Sequence, residues 1–193
     1  MDKNPGLKTV YILFNKPYGV LTQFSDKVGR QTLADYIPVK NVYPAGRLDM
    51  DSEGLVLLTN DGTLNHKITT PRTHLDKVYY VQVEGKPDED DLIQLRAGVL
   101  IKSHTTLPCQ ANVIPDPKFP VRNKPVVVKR DASWLRIVLW EGKKRQIRHM
   151  TAAIGFPTLR IVRTAIGSLT IEGLKPGQWR YLSEEEVNML RKN

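Results

Sequence analysis

The sequence predicts an α+β fold, a mainly antiparallel mixed sheet flanked by helices. Three observations carry this expectation. Strand-like segments recur at Val10–Phe14, Leu55–Leu58, Lys77–Val83 and Ser133–Trp140. The helical stretches, chiefly Asp88–Gly98, Lys144–Ile154 and Ser183–Leu190, do not alternate strictly with them. Glycine, proline and Asn-Asp-Gly turns punctuate the chain where hairpins would need them.

Val10-Tyr11-Ile12-Leu13-Phe14 is β-branched and aromatic and stops at Asn15-Lys16-Pro17-Tyr18-Gly19, as a buried first strand would. Gln31 to Tyr36 has room for one or two helical turns before Pro38. Leu55-Val56-Leu57-Leu58 is a continuous apolar run of strand length, closed by Asn60-Asp61-Gly62. Leu64 and Ile68 then sit four apart on a short helix ended by Pro71, and a subdomain boundary is expected near Thr70-Pro71-Arg72. The expected division is 1–70, carrying the charge-dense stretch described below, and 71–193.

Lys77 to Val83 alternates, with Lys77, Tyr79, Val81 and Val83 on one face. Asp88 is placed to cap a helix on which Leu92 and Leu95 face inward and which Gly98 closes. From Leu107 to Pro125 five prolines predict extended edges and a long loop with Lys118, Arg122 and Lys124. That loop reads as a plain insertion or as a basic arm laid on a phosphate backbone. Ser133 to Trp140 turns Leu135, Ile137 and Leu139 inward. Glu141-Gly142 leads into a helix from Lys144 to Ile154, with Ile147, Thr151 and Ile154 on one stripe. Pro157–Leu169 and Gln178–Leu182 are further strand candidates, and Ser183 with Glu186 forms a capping box for a closing helix.

The 193 residues suffice for one domain or two small ones sharing a core. No apolar run approaches membrane-spanning length, and Met1–Gly6 lacks the apolar core of a signal peptide. One cysteine, Cys109, and four scattered histidines (His66, His74, His104, His149) make neither a disulfide nor a metal spacing. The histidines are expected at the surface or with satisfied partners. A reducing, cytoplasmic setting without a structural metal follows. With 29 Lys+Arg against 20 Asp+Glu, the formal charge is +9, which suits a polyanionic partner whose counterions basic side chains displace.

The densest chemistry lies between Gly46 and Gly54, where Arg47, Asp49, Asp51 and Glu53 precede the apolar run. Charges leading into a core strand are costly unless paired, wetted by a cleft, or used. A surface turn with carboxylates facing water is the plain alternative.

Gly46-Arg47-Leu48-Asp49 with its leucine-rich continuation, Asn15-Lys16-Pro17, Lys77-Val78-Tyr79, Gln146-Ile147-Arg148 and Arg163-Thr164-Ala165-Ile166-Gly167 stand in that family's order and resemble the motifs of the pseudouridine synthases, in the ribosomal-RNA branch. The likeness spans Val10 to Leu182. It implies that family's catalytic fold with a central RNA-binding cleft. It also implies isomerisation of one uridine in large-subunit (23S) ribosomal RNA, with no cofactor, by a monomer. Carried over by residue, Asp49 is the catalytic carboxylate, Arg148 its ion-pair partner and Tyr79 the stacking residue. Lys16, Arg47, Lys77, Lys144 and Arg145 are the expected RNA-binding residues. Asp51 and Glu53 read as structural or as loop hydrogen-bonders. Without the likeness, Arg148 would read as a solvated helix residue and Tyr79 as sheet packing.

Relatives in this branch often carry an S4-type RNA-binding module ahead of the catalytic body, whereas the first core strand here begins at Val10. Target choice is therefore expected from the catalytic body itself. Ser52 stands where many relatives have threonine, which preserves the hydroxyl. Two rivals remain open on the sequence: a non-catalytic RNA-binding or ribosome-assembly protein on the same fold, and a hydrolase that frees the base from its sugar.

Overall fold

A computed structural model describes residues 8–70 and 75–192. The Met1–Gly6 segment, the boundary at Pro71-Arg72 and His74 lie outside the described residues.

Eleven strands and four α-helices follow one another along the described chain. They are β1 (Tyr11–Lys16), β2 (Tyr43–Pro44), β3 (Glu53–Thr59), α1 (Gly62–Thr69), β4 (Lys77–Glu84), α2 (Glu89–Ala97), β5 (Leu100–Ile101), β6 (His104–Thr105), β7 (Gln110–Ile114), β8 (Ala132–Leu139), α3 (Gln146–Ala153), β9 (Thr158–Ile166), β10 (Leu169–Thr170), β11 (Trp179–Tyr181) and α4 (Glu184–Lys192). The main sheet runs β11-β1-β3-β9-β4-β8-β7, with β2 beside β3 and β10 beside β9. Every pairing in it is antiparallel except β3 with β9, so the sheet is mixed as the sequence predicts.

Every residue of β3 is buried, which accounts for its unbroken apolar run. Its neighbours divide the side chains between two cores. Ile12, Phe14, Val56 and Leu58 share a face with Val81, Leu135, Ile137 and Ile161, beneath Leu33, Leu48, Leu92, Leu95, Ile147 and Met150. Leu13, Leu55 and Leu57 pack on the other face with Leu64 and Ile68 of α1 and Leu190 of α4. The closing elements thus return to the beginning of the chain: β11 pairs with β1, and α4 joins the core of the first segment. The segments 1–70 and 71–193 therefore interlock.

The parallel seam is short. It joins Glu53 to Val162 and Gly54 to Arg163. Gly54 has φ +103°, and any Cβ there would collide with the Arg163 backbone. Only glycine lets the two strands meet at this point.

Several local expectations shift. Gln31–Tyr36 forms a single 3-10 turn at Leu33–Asp35, closed by a Thr32/Asp35 capping box. Helix α3 begins two residues after Lys144, because Arg145 takes a left-handed conformation (φ +55°). The Ser183/Glu186 capping box forms as read. The proline-rich loop is neither a plain insertion nor a free basic arm. Phe119 packs between Tyr80 and Trp134, and Pro120 O accepts from Arg160. Arg122 lies 4.3 Å over the Tyr18 ring and 3.7 Å from Glu53. The loop is a strap, held because β3 presents the buried Glu53 carboxylate and β4 and β8 present the aromatic rings of Tyr80 and Trp134 for it to cover. No described helix is long and apolar enough to cross a membrane.

Candidate active site

The coverings of the sheet leave a cleft of about 860 Å³ near the β3/β9 seam. One wall is Leu21, Thr22 and Gly46–Met50; the other is Leu139–Ile147. Tyr79, Ile161 and Arg163 line it from the sheet, and Lys77 joins them from the start of β4.

The 46–52 loop is held from both sides. Thr22 Oγ1 donates to Leu48 O at 2.6 Å and accepts from Leu48 N at 3.2 Å. Gly19 N donates to Met50 O, and Ser52 N closes a turn onto Asp49 O. These bonds satisfy backbone groups that would otherwise be stranded beside a buried strand, and they fix where Asp49 points. Its side chain is 34% exposed and lines the cleft.

The predicted Asp49–Arg148 ion pair is absent; the partners are exchanged. Arg148 Nη2 lies 3.2 Å from Asp51 Oδ2 and donates to Asp51 O at 3.0 Å. Its Nη1 reaches Thr158 O at 3.4 Å. Arg145 grips Asp51 with both terminal nitrogens at 3.1 Å, and its Nη1 also stands 3.9 Å from Asp49 Oδ2. Arg145 is free to do so because it offers no side-chain cap to α3 and its left-handed backbone turns it toward the loop. Burial pushes the Asp51 carboxyl up, but the Arg145 hydrogen bond and the charges of Arg148 and Arg145 outweigh it and hold it below its ordinary value. Asp51, read as structural or as a loop hydrogen-bonder, is the hinge of the constellation. Its spacing two residues from Asp49 carried no signal of this, because loop curvature decides which carboxylate meets which guanidinium.

Tyr79 is 8% exposed and sits opposite Arg163 across β4 and β9, where the register shifts. Lys77 lines the cleft, and burial, with the charge of Arg163, pushes its ammonium below its ordinary value. Arg47 and Lys144 are exposed on opposite walls, the first 3.5 Å from Gln23 Oε1.

Lys16 departs from its expected role. It is fully buried, and its Nζ donates to Pro17 O at 3.0 Å and Val20 O at 2.8 Å. Its ammonium ties the turn that holds Met50 and is out of reach of an RNA phosphate. Arg122, expected on the basic loop, is likewise spent on Tyr18 and Glu53. The expectation of satisfied histidines fails at His104, whose Nε2 is buried without a partner. Among the described residues no group of His, Cys, Asp and Glu could hold a metal ion.

Arg163 is the residue that sequence reasoning quoted in a motif but gave no task. It is 3% exposed, lines the cleft, and donates from Nε to Leu55 O at 2.7 Å.

Residues 10–153 match the family described as RNA pseudouridylate synthase. The chain is 54% identical over 174 residues to the ribosomal large subunit pseudouridine synthase E of Vibrio vulnificus (strain CMCP6), covering 89% of this chain and 74% of that protein. It is 48% identical to the protein of the same name from Xanthomonas campestris pv. campestris, covering 88% and 93% respectively. A solved structure described as a crystal structure of pseudouridylate synthase superposes with a TM-score of 0.81 at 28% identity, covering 95% of this chain and 74% of that one.

Proposed function

The chain belongs to the RNA pseudouridylate synthase family, and on that footing we propose that it isomerises one uridine of large-subunit ribosomal RNA to pseudouridine with Asp49 as the catalytic carboxylate. The observation that carries this reading is the placement of Asp49. It is a third exposed in a cleft that also contains Tyr79, with a guanidinium 3.9 Å away and a neighbouring carboxylate that occupies the second arginine.

The chemistry suits these groups. The C1′–N1 bond breaks, the base rotates, and a C1′–C5 bond forms. An ionised Asp49 assists by attacking C1′ or C6, or by taking a proton from the sugar. Arg145 and Arg148 bring positive charge to the 49–51 loop, where it stabilises negative charge that develops in the reaction. Tyr79 offers the base a flat face, and its hydroxyl serves to relay the final proton. The target atoms lie inside stacked RNA, so the nucleotide is flipped into the cleft while Arg47, Lys77, Lys144 and Arg145 hold phosphates. No redox change or external group transfer occurs, so the reaction needs no cofactor. The chain acts as a monomer in the cytoplasm.

RNA carrying tritium at uridine C5 tests the reading. Wild-type protein releases tritium, and Asp49→Asn, which keeps the shape and removes the charge, releases none while still binding RNA. Substantial release by that variant removes Asp49 from the mechanism. Free uracil in the products would instead mark a hydrolase.

A further inference from the structure

Arg163 carries a charge in the interior with no visible use for half of it. Its side chain is almost wholly buried, and its Nε is fixed on Leu55 O. Its Nη2 is buried with no hydrogen-bond partner. Among the described residues no carboxylate lies within ion-pair distance, whereas the neighbouring Arg145, Arg148 and Arg160 all have one. A buried donor left empty is costly, and a buried guanidinium more so. The strut to Leu55 explains why the side chain is held in place. It does not explain a second donor facing nothing.

The position supplies an explanation. Arg163 and Tyr79 are cross-strand neighbours, and both line the cleft that contains Asp49. Side chains paired in this way stand side by side on one face of a sheet. A base stacked on Tyr79 therefore turns an edge toward Arg163. Nη2 itself has no exposed surface, so a base seated on Tyr79 must shift its neighbours to reach it.

Resting on the function proposed above, we infer that Arg163 is a further catalytic residue, whose Nη2 donates to a carbonyl oxygen of the flipped uracil and stabilises the charge that the base acquires when it leaves the sugar. When the C1′–N1 bond breaks, its electron pair goes with the base, and the resulting uracil anion spreads its charge over N1, O2 and O4. C1′ is left bonded to the Asp49 carboxylate, or as an unsaturated sugar once C2′ has lost a proton. The base turns, and C5 supplies the pair for the new C1′–C5 bond as the C1′–Asp49 bond breaks and frees the carboxylate or, from the unsaturated sugar, as C2′ regains its proton. C5 then gives up its hydrogen, and N1 takes one. Proton count and charge return to those of uridine. A guanidinium anchored through Nε on Leu55 O keeps its position as the anion develops, and an anchored donor acts most strongly there.

Arg163→Gln and Arg163→Lys test this, each in single turnover on RNA bearing uridine, 2-thiouridine or 4-thiouridine at the target. Sulfur is a poor acceptor, so a thio group at the contacted position mimics the loss of the bond from the other side. On uridine, Arg163→Gln is expected to lose about 100-fold in rate at saturating RNA, with its RNA Kd within about threefold of wild type. Arg163→Lys keeps the charge and recovers part of the rate. On one of the two thio substrates the loss should shrink to about tenfold or less, and that substrate identifies the carbonyl. Equal losses on all three substrates make Arg163 a structural strut and overturn the inference. So does a variant whose defect lies wholly in Kd. Wild-type protein that releases no tritium from the unsubstituted RNA would instead sink the proposed function, a separate result. Unfolding midpoints of both variants show which of the two folds like wild type, and the cycle is read on that one.

Discussion

Arg148 and Asp51, 97 positions apart, meet twice: one guanidinium nitrogen sits 3.0 Å from the Asp51 main-chain oxygen and 3.2 Å from its carboxylate. The double contact clamps the loop at the residue next but one to Asp49. It also consumes the arginine that would otherwise neutralise Asp49 directly. The Asp49 carboxylate is thereby left part-open to the cleft, held by its loop and only approached by Arg145.

If the clamp works as a unit, Arg148→Lys and Asp51→Asn should each slow single-turnover tritium release by about 10- to 100-fold, since a hydrogen bond to a charged group contributes about 1.5–3 kcal/mol. The double variant should be little worse than the poorer single one. Losses that simply multiply would show that the two residues act separately.

Glu53 and Arg160 form a buried pair with hydrogen bonds of 2.7 and 2.8 Å, and Arg122 of the strap leans on the same carboxylate. Removing one charge strands the others, at a cost of about 3–5 kcal/mol. Glu53→Gln should lower Tm by on the order of 10 °C. Glu53→Met combined with Arg160→Met should recover much of that, as calorimetry would show; a double variant less stable than Glu53→Gln counters this account.

Lys16 makes stability depend on pH in a direction that its burial dictates. Burial pushes its ammonium from 10.5 down to about 7, against the opposing charges of Glu53, Asp51 and Asp49. Below pH 7 the folded and unfolded chains both hold the proton, and the full cost of the buried charge is present. Between pH 7 and 10.5 the unfolded chain holds a proton that the folded one has released, so stability rises with pH. The difference in unfolding free energy between wild type and Lys16→Met should therefore shift in favour of wild type across that window. Denaturant titrations at several pH values check it, and a constant difference would mean that the ammonium is not destabilised.

Lys144 is exposed on the cleft wall and has no ion pair among the described residues. Lys144→Ala should weaken RNA binding and reduce the slope of log Kd against log salt by about 0.7–0.9, one phosphate contact, with the rate at saturating RNA unchanged. An unaltered slope places the RNA elsewhere.

Much of the fold was legible because local physics repeats it. The apolar run Leu55–Leu58 is buried on both faces, and the alternation of Lys77–Val83 holds against β8 and β9. The caps at Asp88 and Ser183 form as their spacing predicts. The pairing of charges was not legible. Nothing in the spacing told Asp49 from Asp51 as the partner of Arg148, or marked Lys16 and Arg122 as interior struts rather than RNA contacts.

By itself the sequence determined the elements, the sheet's mixed character and the family's motif order, because hydrophobic period, turn chemistry and caps act over a few residues. Only the tertiary structure decided which arginine holds which carboxylate, that the proline-rich loop is a strap, and that Arg163 ends beside Tyr79 with a donor to spare. Those outcomes depend on strands brought together from distant parts of the chain. A charge's role is set by the dielectric and the partners it meets there, and neither is written in its neighbours along the chain.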